Sequence, residues 1–130
     1  MKLLLDTCAL LHLAQFPGRL SAEALDSVLD SESELYVSAV TVAELACLQQ
    51  RGRLELPAHW RVWFRRTVED RGLNVSDLTL EIIEEAWSLP DPIHRDPADR
   101  AIIATARLER MTVITTDRLL LDYPHVTTKA

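Results

Sequence analysis

The sequence predicts an α/β protein: a three-layer α/β/α arrangement with a central, mostly parallel sheet covered by helices on both faces. Three observations predict it. Short apolar runs alternate with segments of helical periodicity along the full length, no linker or low-complexity segment interrupts them, and 48% of the 130 residues are apolar, enough for one core. Strand–helix repetition of this kind implies parallel strands joined by right-handed crossovers. We therefore expect a single domain over residues 1–130.

The elements follow in order. Lys2 to Leu5 is a strand ending in Asp6, and Thr7 to Gln15 is a helix carrying Ala9, Leu10, Leu13 and Ala14 at helical spacing until Pro17-Gly18 stops it. Ser21 caps a second helix with Ala24, Leu25, Val28 and Leu29 recurring every three or four residues, and Leu35 to Ser38 is the second strand. Thr41-Val42-Ala43-Glu44 has the form of a capping box opening a third helix that stops near Gly52. Pro57 is placed to start a fourth, in which Trp60, Trp63, Phe64, Thr67 and Val68 share one face before Gly72. A stripe so regular predicts core or a protein interface rather than an RNA-stacking surface.

Asn74 to Leu78 is a weak strand. Thr79 then opens a helix with Ile82, Ile83, Ala86 and Trp87 on one side, ending at Pro90, and Pro92 to Arg95 is a loop. Asp96 caps the next helix with Pro97 in its first turn, and the run Ala101-Ile102-Ile103-Ala104 predicts deep burial. Thr112 to Thr116 is a β-branched strand followed at once by Asp117, and the tail near His125 to Thr128 adds an edge strand.

Composition narrows the function. A formal charge of −6 argues against binding nucleic acid through bulk electrostatics, yet Arg51, Arg53, Arg61, Arg65, Arg66 and Arg71 form a local basic excess that meets either solvent or a phosphate backbone. The apolar stretch before Asp6 is too short for a signal peptide and no run approaches a membrane span, which predicts a soluble cytoplasmic protein. Cys8 and Cys47 lie in helices without a CxxC pair, so buried thiols are expected rather than a disulfide or zinc.

The chemistry lies in four acids. Asp6 and Asp117 follow strands, and Glu44 and Asp99 begin helices, so each falls where a parallel sheet presents side chains at its carboxyl edge. Each also has a structural explanation, as a cap or as a first-turn acid favoured by the helix dipole. Together they have the chemistry of a hard-cation site, since carboxylates gathered from separate segments repel one another unless they share Mg²⁺ or Mn²⁺. Asp96 is a fifth candidate, primarily a cap, with a supporting or metal role possible.

Four segments carry a resemblance. Leu3-Leu4-Leu5-Asp6-Thr7-Cys8-Ala9-Leu10-Leu11, Ser38-Ala39-Val40-Thr41-Val42-Ala43-Glu44-Leu45, His94-Arg95-Asp96-Pro97-Ala98-Asp99-Arg100 with Ala101-Ile102-Ile103-Ala104-Thr105-Ala106, and Val113-Ile114-Thr115-Thr116-Asp117 resemble, in order, the motifs of PIN-domain nucleases, closest to the VapC-type toxins of toxin–antitoxin pairs. The one departure noted is Cys8, where many relatives have histidine.

The resemblance implies a PIN-like fold and an endoribonuclease whose catalytic and metal-binding quartet is Asp6, Glu44, Asp99 and Asp117 around Mg²⁺, with Mn²⁺ as substitute. It also implies an RNA substrate, a small cognate antitoxin and a homodimer. Water attack under metal control gives 3′-hydroxyl and 5′-phosphate products and requires no protein nucleophile.

His94 is expected to be a solvent-exposed loop residue rather than a phosphate contact. Arg100 is expected to pair with neighbouring carboxylates, and Arg118 to meet either carboxylate or phosphate.

Three rivals remain. A haloacid-dehalogenase-type phosphatase needs a second Asp at position 8, which is Cys8, and a receiver domain lacks its acidic pair and late lysine, Lys129 lying in the tail. A catalytically silent PIN-like module that binds RNA or antitoxin is the third. Neither the RNA target nor the number of metal ions is readable from one chain.

Overall fold

The computed structural model describes residues 1–92 and 96–130. Five strands, β1 (Lys2–Leu5), β2 (Glu34–Ser38), β3 (Asn74–Ser76), β4 (Thr112–Ile114) and β5 (Thr128–Lys129), form a sheet in the order β3-β2-β1-β4-β5. All four pairings are parallel, with Leu4 opposite Tyr36 on one side and Val113 on the other. The helices are α1 (Thr7–Gln15), α2 (Ala22–Leu29), α3 (Val40–Gln50), α4 (Trp60–Arg71), α5 (Leu80–Ala86), α6 (Pro97–Glu109) and α7 (Arg118–Asp122).

The central position of β1 explains its composition. A strand covered on both faces reads as a continuous apolar run, and Leu3, Leu4 and Leu5 are all fully buried. Because side chains alternate, Leu3 and Leu5 join the cluster built from α1, α2 and α4, while Leu4 packs with Ile102, Ala106, Met111 and Val113 on the other face. Helix α6 is buried nearly all round. Its Ile102 faces the sheet, Ile103 meets Leu89, Leu120 and Tyr123, and Ala104 meets Ile82 and Ala86 of α5.

Two polar contacts add to that last one: Glu85 pairs with Arg107 at 3.5 Å, and Arg100 Nη1 donates to the Ala86 carbonyl at 3.3 Å, so the last turn of α5 is tied to both ends of α6. The carboxyl edge of the sheet and the N-terminus of α6 lie at the same end of the molecule, since the charges of Asp6 and Asp117 act on Asp99.

Several expectations need correction. The capping box at Thr41 does not form: α3 starts a residue earlier, at Val40, whose N–H is taken by Ser38 Oγ at 3.1 Å, which leaves Thr41 and Glu44 free to face α1. Pro57 does not start α4, because Gln49 clamps the preceding segment, donating to the Ala58 carbonyl at 2.9 Å and accepting from Trp60 N at 2.8 Å, and the helix begins at Trp60. Gly72 ends it in the left-handed region at φ 63°, where glycine carries no Cβ penalty.

Helix α5 ends at Ala86. Trp87 is its C-cap and 59% exposed, and Ile83 is also exposed, so only Ile82 and Ala86 form the buried side. Both cysteines are exposed rather than buried, since Cys8 and Cys47 fall off the core stripes of α1 and α3. Strand β4 stops at Ile114, two residues before the expected end, where the Thr115 side chain turns to Asp6. The expected loop at Pro92 to Arg95 falls largely outside the described residues, as does His94.

The aromatic stripe of α4 is core, as its periodicity implies. Trp63, at 7% exposure, Phe64 and Thr67 are buried, with Trp60 and Val68 packed against the same cluster. Truncating a large buried aromatic leaves a cavity, so Trp63→Ala is expected to lower stability by ~3–5 kcal/mol, read as a fall in the urea midpoint at unchanged slope.

Candidate active site

Asp6 leaves the end of β1 and caps α1, accepting from Ala9 N at 2.7 Å through Oδ1, while Oδ2 accepts from the Thr115 hydroxyl. It is 4% exposed. Thr115 also ties a second acid to the first, since its Oγ1 accepts from the backbone N–H of Asp117 at 3.0 Å. Asp117 caps α7, taking the Leu119 N–H at 2.9 Å.

Glu44 reaches the same place from α3. The Thr7 hydroxyl donates to Glu44 Oε1 at 2.5 Å, and Thr7 and Thr41 hydroxyls lie 3.0 Å apart. A hydroxyl has one proton to give, so with Thr7 committed to Glu44, Thr41 is the donor to Thr7. Asp99 stands in the first turn of α6, and Asp96 caps that helix, accepting from Ala98 N at 2.9 Å. The structure thus makes Asp96 the cap that the sequence implies.

Electrostatics places the acids in one neighbourhood. Asp99 is pushed up to about 8 by burial first and then by the charges of Asp96, Glu44, Asp117 and Asp6. Asp6 is raised to about 6, again chiefly by burial and with Asp117 adding to it, while the Thr115 and Ala9 hydrogen bonds hold it down. Glu44 is raised by burial, Asp96 and Asp6 against the Thr7 bond.

Cys8 is an independent witness. Its thiol is pushed up to about 11 by burial and by Asp6, Glu44, Asp117 and Asp99 in turn. The residue is exposed as a whole, so the direction rests most firmly on those four charges of one sign. A thiol so placed is a poor nucleophile.

The grouping is a ring of charge rather than a closed cage. Among the described residues, no three His, Cys, Asp or Glu side chains are placed to hold one ion as they stand. The donor set still suits a hard cation: every candidate ligand is a carboxylate oxygen, and Mg²⁺ keeps several waters and takes one or two carboxylates rather than an all-protein cage.

The arginines divide. Arg100 stacks its guanidinium 4.4 Å from the Trp87 ring centroid besides bonding the Ala86 carbonyl, which corrects the expectation that carboxylates would take it. Arg118 is solvent-exposed and lies 3.8 Å from Asp122. Of the basic segment, Arg61, Arg65 and Arg66 occupy the solvent side of α4, and Arg71 Nη2 donates to the Leu13 carbonyl at 3.2 Å.

A family model for the PIN domain matches residues 3–126. The chain belongs to the PIN domain family. Over 109 residues it is 32% identical to Ribonuclease VapC22 of Mycobacterium tuberculosis, covering 84% of this chain and 82% of that one. Two solved structures have the same fold: VapBC2 from Rickettsia felis bound to a promoter DNA fragment, with TM-score 0.72, 13% identity and coverage of 99% of this chain and 98% of that, and VapBC-1 from nontypeable Haemophilus influenzae, with TM-score 0.69, 18% identity and coverage of 99% and 97%. At these identities the likeness is one of fold.

Three threonines of this PIN domain, Thr7, Thr41 and Thr115, were not singled out by the acidic pattern, yet their hydroxyls orient Glu44 and Asp6. The available signal was position: Thr7 and Thr115 each sit within two residues of an acid at a strand end, and Thr41 lies one helical turn before Glu44.

A pH dependence follows. Asp6 and Asp99 have folded pKa values above the ordinary 3.8, so between that value and about 6 and 8 the folded PIN domain binds more protons than the unfolded chain. Their contribution is most favourable at the acid side of the window and is lost as pH rises through it. Melting in a chelator from pH 4 to 9 should therefore show Asp99→Asn gaining on the wild type from about pH 4 up to about pH 8 and holding that gain beyond it, and a flat difference would contradict this.

Proposed function

We propose that this PIN domain is a metal-dependent endoribonuclease that hydrolyses RNA phosphodiester bonds as the toxin of a toxin–antitoxin pair. The observation that carries the reading is the convergence of Asp6, Glu44, Asp99 and Asp117 into mutual electrostatic range at the carboxyl edge of the sheet. The printed name of the 32%-identical relative, a ribonuclease, and the fold shared with VapBC structures support it. The partners are an RNA substrate, a small antitoxin and a second copy of the chain. The place of action is the cytoplasm, in keeping with no helix among the described residues being long and apolar enough to cross a membrane.

Asp6, Glu44, Asp99 and Asp117 are the residues that hold Mg²⁺, or Mn²⁺ in its place, with Asp96 adding negative charge beside Asp99 and Glu44. When bound, such a cation lowers the pKa of a coordinated water and neutralises charge on phosphate oxygens. The protein's own part is orientation. Thr115 and the Ala9 N–H fix both oxygens of Asp6, and the Thr41–Thr7 pair aims one oxygen of Glu44. Asp99, whose carboxyl takes up a proton most readily, is the acid most changed by a neighbouring positive charge.

A catalytically silent PIN-like module that binds RNA or antitoxin is the second reading. Activity separates the two. Purified chain freed of partner should cut RNA with Mg²⁺ or Mn²⁺ and stop in a chelator. Asp6→Asn and Asp99→Asn should each lower the rate by about two to three orders of magnitude, as for loss of one oriented electrostatic group. Both should keep their circular dichroism, because asparagine caps α1 as aspartate does and α6 is capped by Asp96 rather than Asp99. Wild-type protein that cuts none of a broad RNA panel, or variants that cut at the wild-type rate, would refute the assignment.

A further inference from the structure

Helices α3 and α4 and the edge strand β3 border a groove of about 880 Å³ that has no part in the chemistry above. Its apolar lining is Phe64 and Val68, four residues apart on α4, with Val42 of α3 and Val75 of β3. Two cations, Arg61 and Arg65, line it as well, against one acid, Glu69. Both arginines are exposed, and the Arg61 guanidinium lies 5.3 Å from the centroid of the Trp60 ring, which orders it beside the groove.

The groove meets an unfinished sheet. Strand β3 stands at one end of the strand order and pairs with β2 alone. Backbone groups of successive residues in a strand face alternate sides, and the Ser76 carbonyl accepts from Ala39 N at 2.8 Å on the β2 side. The N–H and C=O of Val75 therefore point to the open edge. The Val75 side chain, 42% exposed, lines the groove itself. One residue thus offers an outward backbone donor and acceptor together with one wall of an apolar hollow.

We propose that this groove and the β3 edge hold an extended segment of a second protein, one that presents apolar and acidic side chains on the same side. The proposal does not depend on the ribonuclease reading. The segment's backbone takes the donor and acceptor of Val75, as a strand added to a sheet edge does. Side chains on one side of an extended segment recur every second residue, so its apolar ones enter between Phe64, Val68 and Val75 while its carboxylates meet Arg61 and Arg65. Charge decides against the two other occupants. An RNA backbone would find the two arginines but also Glu69 and an apolar lining, and a two-fold pairing of β3 with a second copy would set the same cationic patch against itself.

The test titrates the full ¹⁵N-labelled chain with two blocked eight-residue peptides, one repeating Val-Thr-Glu-Thr and one repeating Val-Thr-Lys-Thr. The glutamate peptide should shift the Val75 amide and slow its hydrogen exchange, with a Kd about tenfold below that of the lysine peptide and a smaller difference at high salt. Arg61→Glu combined with Arg65→Glu should reverse that preference, with the melting temperature and RNA cleavage unchanged. Val75→Pro removes the outward N–H without touching the β2 ladder and should abolish binding of the glutamate peptide, whereas Val75→Thr should retain it.

A Val75 amide that does not respond to the glutamate peptide, equal affinity for the two peptides, or full binding by Val75→Pro would each overturn the proposal. The arginine variant supplies two further ways to lose it. If that variant sediments as a smaller species than the wild type, the surface belongs to a second copy of the chain. If it loses affinity for a single-stranded RNA of mixed sequence, the surface belongs to nucleic acid.

Discussion

Mutual repulsion among carboxylates is the constraint around which this molecule is arranged. Asp6 and Asp117 come from strand ends, Glu44 from inside α3 and Asp99 from the start of α6, and each raises the energy of another's charged form. Burial strengthens the effect, because a half-enclosed carboxylate has lost part of the water that would screen it. Hydroxyls and backbone N–H groups oppose it at Asp6 and Glu44. The fold therefore holds an electrostatic demand for positive charge, and the position of greatest demand is Asp99.

Such an arrangement persists only on a rigid base. The leucine run of β1 is buried on both faces, and α6 is enclosed by the sheet, by α5 and by the Leu120–Tyr123 side of α7. Both elements that deliver acids directly, β1 through Asp6 and α6 through Asp99, are thus among the most fully packed in the chain. Apolar burial near 25 cal/mol per Å² opposes the repulsion continuously, whatever the ionic state of the hollow.

Much of this was legible in the residues. The strand and helix order, the N-caps at Asp6, Ser21, Thr79, Asp96 and Asp117, and the buried stripe of α4 all follow from local periodicity and capping chemistry, which act within a few residues. The failures lie where a distant side chain intervenes. Thr41 reads as a cap because the local pattern is right, but Thr7 on another helix takes its hydroxyl. Pro57 reads as a helix start, but Gln49 holds that segment in a bend ahead of the helix. Trp87 reads as sharing one side of a helix with Ile82, Ile83 and Ala86, but α5 ends at Ala86 and Trp87 is its exposed C-cap. The candidate acids were legible as acids at a sheet edge; the threonines that aim them were not, since a threonine near a strand end is ordinary.

The seam between α5 and α6 has a consequence of its own. It is closed by Ile82, Ala86 and Ala104, with Leu108 packed against them, so apolar side chains in contact set its width. The seam therefore fixes how α5 bears on α6, the helix that carries Asp99 in its first turn. A longer side chain at Ala104 would overpack this seam and strain the bearing of α6 without touching any acid. The placement of a helix that delivers an acid is thus held in part by small side chains of the core rather than at the carboxylate itself.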